Sequence, residues 1–217
     1  MWFNKKINPE KIKLVNTKRL QSKGINVIDH LPHLDSPKFR NPQDIAKRAM
    51  ILTALFQLHL NAPKEIIKKW IIDNKLENNL FENEQKYLEV NYIELTEQDQ
   101  AKIYWFIEAV WTLAWVNGLH NKLTLNSGVD DNLADLIPNI AKDESASNFI
   151  KNFKTRKEKE VFEMLDKLYR AHWFARNNNL KGIANDKVNL DIIIERRKAL
   201  EFVCYDQDNW NEIELNT

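Results

Sequence analysis

The chain has few of the residues that tight turns, cross-links and strongly charged surfaces require. Its 217 residues include one cysteine, four glycines and six prolines, and the formal net charge is +1. Average usage in a chain of this length would give about 15 glycines and 11 prolines. Because β-rich folds need many turn residues, this composition predicts an all-α fold with long helices. The lone Cys204 excludes an internal disulfide framework and a cysteine-based zinc site.

The charge balance and the hydropathy argue against two kinds of partner. Nucleic-acid binding needs a surplus of clustered basic residues, whereas this chain has 32 Lys and Arg against 31 Asp and Glu. The most apolar run, 103–116, is shorter than the roughly 20 residues of a membrane span. The first six residues turn polar at once and lack the apolar core of a secretory peptide. We therefore expect a soluble bacterial protein of the cytoplasm, with neither a nucleic-acid nor a membrane partner.

Helical periodicity and capping residues predict about six to eight helices. Asn41 and Pro42 form a typical helix start, and Gly118 a typical helix end. The predicted helical ranges are 8–22, 41–61, 66–71, 80–90, 97–117, 131–136, 155–178 and 190–204. Between and after them we expect an extended arm with room for one short strand at 25–37, an irregular insert at 121–147 and an extended tail at 206–217. The chain then forms a single helical domain, 17–217, after an N-terminal extension, 1–16.

Glu108 is the only charged residue in the apolar run 103–116. Helical spacing places mostly aromatic residues on its side: Tyr104, Trp105, Trp111, Thr112 and Trp115. Burial disfavours a charged carboxylate unless it is paired. Two interpretations stay open: a functional carboxylate in an aromatic pocket, or a structural one that is paired with Arg170 or Arg197 or faces a wet groove.

The last two predicted helices carry a second group of charged and aromatic residues. Asp166 and Arg170 are four residues apart and can form an ion pair, and Trp173 can stack on Arg170. The short connection between the helices predicts an antiparallel hairpin, which brings Tyr169, Arg170 and Trp173 near Glu195, Arg196 and Arg197. Five of the eight arginines fall in the last third of a chain that otherwise uses lysine. This concentration predicts sites where the planar guanidinium matters.

No arrangement of residues in the sequence predicts catalysis, a metal or a cofactor. His30 and His33 lie near Asp29 and Asp35, but Pro32 leaves this loop without a fixed ligand geometry. His172 on an apolar helix side indicates a buried structural histidine, because no Ser or Cys nucleophile is near it in sequence. The four glycines are isolated, so no phosphate-binding loop is present. Whether the protein is an enzyme stays open, and the residues favour a protein without catalytic activity.

Several short motifs are distributed over nearly the whole chain. They are Thr17-Lys18-Arg19, Gly24 to Val27 followed by Leu31-Pro32, Arg40 with Ile45 to Ala49, Glu108 to Trp115, Leu165 to Trp173, Glu195 to Leu200, and Trp210 to Thr217. Together they resemble the bacterial domain-of-unknown-function 4272 family over about 17–217. The resemblance implies a soluble helical domain and no assigned activity.

Three functional hypotheses follow from these observations. The first is a non-catalytic binding or interaction module with a protein partner, and the second is an immunity-type protein that binds a toxin. The third is a small-molecule binder or enzyme, for which an open cavity lined by Glu108 and an arginine would argue, whereas a closed ion pair would favour the first hypothesis. The oligomeric state stays open. The residues of the candidate pocket are Glu108, Trp111, Trp115, Asp166, Tyr169, Arg170, Trp173, Glu195, Arg196 and Arg197.

Overall fold

The computed structural model describes residues 7–206 and 209–217 and confirms the all-α fold class. In these residues nine helices are present and no strand: α1 (Pro9–Gln21), α2 (Pro42–His59), α3 (Lys64–Asp73), α4 (Glu82–Tyr87), α5 (Glu97–Val116), α6 (Leu133–Leu136), α7 (Ser147–Asn152), α8 (Glu158–Leu180) and α9 (Leu190–Cys204). None of the helices described is both long and apolar enough to cross a membrane. The first six residues, on which the argument about a secretory peptide depends, and residues 207–208 of the tail lie outside the described residues.

The helix starts follow from capping side chains that the sequence displays. The Asn8 side chain accepts a hydrogen bond from the Lys11 amide at the start of α1, at 2.9 Å. The Asn41 side chain accepts one from the Gln43 amide at the start of α2, at 2.8 Å. Each cap satisfies an amide that has no partner within its helix, and a proline at the first helical position needs none.

Glycines in the left-handed region follow the ends of α5 and α8, and the end of α8 differs from the prediction. Gly118 ends α5 with a φ of 80°, as its position predicts. The Asn-rich end expected near 178 continues to Leu180, and Gly182 with a φ of 65° follows. Because the Ile183 amide then donates to the Asn178 carbonyl, the last turn of α8 is closed by glycine rather than by asparagine.

The structure differs from the prediction in two segments that were expected to be irregular or extended. The insert 121–147 contains α6, as expected, and ends in α7, which the sequence does not predict. The arm at 25–37 has no named strand. Directly after the arm, Lys38 forms an isolated parallel bridge with Tyr205 at the end of α9.

The chain divides into two units, and each has its own packed helices. The first, here called the terminal unit, contains the described residues up to Phe39, Thr124–Ser127 and those within Arg156–Thr217. In it, α8 packs against both α1 and α9. Apolar side chains of the three helices, among them Leu20, Leu165 and Leu200, are fully buried.

The second, here called the central unit, contains Arg40–Leu123 and Gly128–Thr155. α2 and α5 form its main pair, and α3 and α7 also pack on α2. Arg48 of α2 donates to the buried carboxylate of Glu84, which also accepts from the Phe81 amide at the start of α4. The single domain expected over 17–217 stays a prediction.

Candidate functional site

Helices α8 and α9 meet as the antiparallel hairpin that the short connection predicts. Arg197 of α9 contacts two residues near the middle of α8. Its Nη1 donates to Nδ1 of His172 at 2.9 Å, and its guanidinium carbon lies 4.8 Å from the ring centre of Tyr169. The predicted proximity of Tyr169 to the Arg197 segment is therefore confirmed.

The guanidinium of Arg197 is held on three sides. Besides the bond to His172, Nε donates to the Glu201 carboxylate at 3.0 Å, and Nη2 donates to the Asn216 carbonyl at 3.2 Å. Arg197 is 3% exposed, and burial lowers its pKa while Glu201 opposes that change. Because three of the five guanidinium N–H groups have fixed acceptors, this cation is rigidly positioned.

His172 serves as an acceptor in this arrangement, because an arginine can only donate. The proton of the neutral imidazole therefore lies on Nε2. Burial lowers the pKa of His172 to about 4, and the charges of Arg197 and Arg176 act in the same direction. The interpretation of His172 as a buried structural histidine is confirmed at 4% exposure.

The predicted ion pair between Asp166 and Arg170 is also confirmed. Nε and Nη2 of Arg170 donate to the two carboxylate oxygens of Asp166 at 3.0 and 2.7 Å. Nη2 donates further to the carbonyl of Pro32, at 3.1 Å, and the Asn16 side chain donates to Asp166 at 2.9 Å. Asp166 and Arg170 are 1% and 0% exposed, so this is a closed pair with additional hydrogen bonds.

An open cavity lies beside the Arg197 group, within the terminal unit. Its volume is about 530 Å³, within the usual range for small-molecule sites. Tyr169, Arg197 and Glu201 contribute from α8 and α9. The remaining lining residues come from the arm, from the end of α9 and from the tail: His33, Leu34, Asp35, Ser36, Lys38, Tyr205, Asp206 and Asn216.

The cavity lining contains charged pairs, and it also contains the hydroxyl of Tyr169. Lys38 and Asp206 form an ion pair at 2.9 Å at the more exposed part of the lining. The Tyr169 hydroxyl has no hydrogen-bond partner among the described residues. Burial raises the pKa of Tyr169, although the neighbouring charges of Arg197 and Arg170 oppose this. Tyr169 therefore offers a protonated hydroxyl as a donor.

Of the ten residues of the predicted pocket, two line this cavity, Tyr169 and Arg197. The other predicted residues of α8 and α9 are not among its lining residues: Asp166, Arg170, Trp173, Glu195 and Arg196. Arg196 instead donates to the carbonyls of Thr124 and Ser127, at 2.7 and 2.8 Å. Adjacent residues on a helix differ by about 100° in direction, and here Arg196 and Arg197 bind different segments of the chain. Trp173 is half-buried and makes no ring contact with Arg170 in the described part of the chain, because Asp166 draws the guanidinium towards the start of α8.

Glu108, Trp111 and Trp115 belong to the central unit. The predicted burial of Glu108 is confirmed at 3% exposure, and a Cβ atom on Gly128 would lie 3.2 Å from its Oε1. Trp111 donates to the Lys122 carbonyl at 3.1 Å and stacks on His120, with ring centres 3.5 Å apart. Trp115 is also buried. The structure gives Arg170 and Arg197 the partners described above, and neutralisation of Glu108 by an arginine stays a prediction.

These observations define a class of protein: an all-α protein with two helical units, whose terminal unit combines buried arginine networks with a polar cavity. A family model described as a domain of unknown function, DUF4272, matches residues 13–213, so the chain belongs to this family. No curated protein and no solved structure matches the chain.

Proposed function

We propose that the terminal unit is a non-catalytic binding module for a small polar molecule that carries hydrogen-bond acceptors. The observation that carries this proposal is the cavity of about 530 Å³ with the rigid Arg197 and the partnerless Tyr169 hydroxyl in its lining. Lys38 adds a third donor at the exposed part of the lining. A neutral group rich in hydrogen-bond acceptors suits these donors, because Glu201 and Asp206 already pair with the two cations.

Preorganisation supports a binding role. Glu201, His172 and the Asn216 carbonyl hold Arg197 in place without a ligand. A ligand therefore does not need to order this side chain, and less of the interaction energy is lost on binding.

The protonation states support a role without catalysis. A histidine whose pKa is lowered to about 4, and whose Nδ1 already accepts from Arg197, is a weak general base at neutral pH. A tyrosine with a raised pKa remains protonated and is a poor nucleophile. Donors without an activated nucleophile are suited to holding a ligand rather than to transforming it.

A thermal-shift screen over small polar metabolites, both neutral and anionic, tests the proposal. A ligand at 100 times its Kd stabilises the folded state by about 2.7 kcal/mol. The variant Ser36→Trp places a large side chain in the cavity lining at an exposed position, and Ser22→Trp is the matched control outside it. We expect ligands to stabilise the unmodified protein and the control but not Ser36→Trp.

A smaller change tests the role of the hydroxyl. Tyr169→Phe removes one hydrogen-bond donor and keeps the ring against Arg197, so a ligand that binds it should lose about fivefold in affinity, which corresponds to about 1 kcal/mol. The proposal is wrong if no compound stabilises the protein, or if every stabilising compound acts equally on Ser36→Trp.

We also propose that the protein acts in the cytoplasm of a bacterium. The cysteine Cys204 is free and buried, which is compatible with a reducing compartment. Fractionation of cells that express the full chain, with detection by antibody, tests this location.

A further inference from the structure

Helix α1 has an exposed face that combines apolar and basic side chains. Lys11, Leu14, Val15, Lys18 and Arg19 follow each other at helical spacing and are all exposed. Leu14 and Val15 are 54% and 38% exposed, so this helix keeps apolar surface in contact with water. The opposite side of α1, with Leu20, is buried.

A groove of about 490 Å³ lies beside this face, where α1 adjoins the first turns of α8. Ile12 and Val15 supply apolar lining. Lys159 and Glu163 of α8 pair with each other at 3.5 Å, so Lys11 and Arg19 of α1 supply a surplus of two positive charges. The groove lining therefore combines apolar residues with a surplus of positive charge.

The groove walls are held in place by hydrogen bonds between α1 and α8. The Asn16 side chain donates to the Glu163 carbonyl at 2.8 Å and to the Asp166 carboxylate at 2.9 Å. Asp166 in turn holds Arg170. Because both helices are fixed to the same buried pair, contacts within the terminal unit hold the groove walls in place.

We propose that this groove binds an acidic, amphipathic helical segment of a partner protein. Charge complementarity identifies the occupant, because Lys11, Val15 and Arg19 follow each other at four-residue spacing on one side of α1. A segment with acidic and apolar residues at helical spacing matches both the two cations and the apolar residue between them. The concave shape favours a peptide over a lipid surface. A lipid surface binds the protruding face of an amphipathic helix, whereas a groove can enclose a helical peptide. This surface is separate from the polar cavity, and the inference does not depend on the proposed ligand there.

Fluorescence anisotropy with a labelled helical peptide of glutamate and leucine tests the inference on the full chain. Peptides in which glutamine or lysine replaces glutamate are the controls for charge. We expect the acidic peptide to bind at least tenfold more tightly than the glutamine peptide. Its affinity should fall as the salt concentration rises above about 0.1 M, where the screening length is about 10 Å.

Two variants locate the binding surface. The double substitution Lys11→Glu and Arg19→Glu should weaken acidic-peptide binding at least tenfold. Lys142→Glu with Lys151→Glu produces the same change in net charge on exposed residues elsewhere and should leave it unchanged. Val15→Ser removes apolar surface of the groove only and should weaken binding about threefold. All of these positions are exposed, so a circular dichroism spectrum like that of the unmodified protein is expected for each variant.

Three outcomes overturn the inference. In the first, the acidic and glutamine peptides bind equally. In the second, both double variants lose the same affinity, which would show that only net charge matters. In the third, vesicles that contain anionic phospholipid bind through Lys11 and Arg19 while no peptide does, which would identify a membrane surface as the occupant.

Discussion

Because the pKa of His172 is lowered in the folded state, the free energy of unfolding decreases as the pH becomes mildly acidic. In the folded state the pKa is about 4, against 6.5 for an ordinary histidine. Between these values the unfolded chain binds a proton that the folded chain does not, so acidification favours unfolding. The stabilisation is complete above about pH 6.5 and is lost as the pH falls towards 4.

The magnitude follows from the difference between the two pKa values. One pKa unit corresponds to about 1.4 kcal/mol, so the full effect of His172 is about 3 kcal/mol, and about 2 kcal/mol of it is lost between pH 7 and pH 5. For a chain of this size, a loss of 2 kcal/mol lowers the melting temperature by roughly 4–8 °C. The physical cause is burial of the ring at 4% exposure beside Arg197.

Urea unfolding at pH 7 and pH 5, followed by circular dichroism, measures this dependence. His172→Asn keeps an acceptor near the position of Nδ1 but cannot be protonated, so it should lose about 2 kcal/mol less than the unmodified protein between the two pH values. His30→Asn changes an exposed histidine and should behave like the unmodified protein. Equal pH dependence of the unmodified protein and His172→Asn would refute the assignment of the effect to His172.

Three further predictions concern stability and use the same unfolding assay. Asp166→Asn removes the charge that compensates Arg170 and should destabilise by about 3 kcal/mol; a loss below 1 kcal/mol would contradict the buried pair. Asn8→Ala removes the cap of α1 and should cost about 1 kcal/mol, whereas no change would mean that the cap is unimportant. Gly118→Ala forces a side chain into a φ of 80° and should cost about 1 kcal/mol although no atom lies near the new Cβ, and increased stability would contradict the strain argument.

Features that depend on residues close in sequence could be predicted. Asp166 and Arg170 are four residues apart on one helix, and the pair forms as the spacing indicates. The bounds of α9 agree with the predicted 190–204 because Asn189 caps its start. Arg197 and Glu201 have the same spacing, so a search for such pairs would have identified Glu201 as a member of the site.

Features that depend on distant segments could not be predicted. Lys38 and Asp206 line the cavity because the chain directly after the arm forms the isolated bridge with the end of α9, and no local pattern marks either residue. The carbonyls of Pro32 and Asn216 are acceptors that every residue possesses, so their role depends on tertiary structure alone. The two units likewise could not be inferred, since the terminal unit takes its residues from separate parts of the sequence.

The buried arginines explain how irregular chain is fixed to helices in the terminal unit. Arg170 joins a helical carboxylate to the arm through the Pro32 carbonyl, and Arg197 joins another to the tail through the Asn216 carbonyl.

Arg196 holds the 124–127 segment through two carbonyls. A lysine offers a point charge, whereas the planar fork of arginine can bind a carboxylate and a carbonyl at once, which explains why these positions differ from the lysine-rich remainder. The arm and the tail also line the polar cavity. Arg170 and Arg197, which fix these two segments to helices, therefore also determine the shape of the proposed binding site.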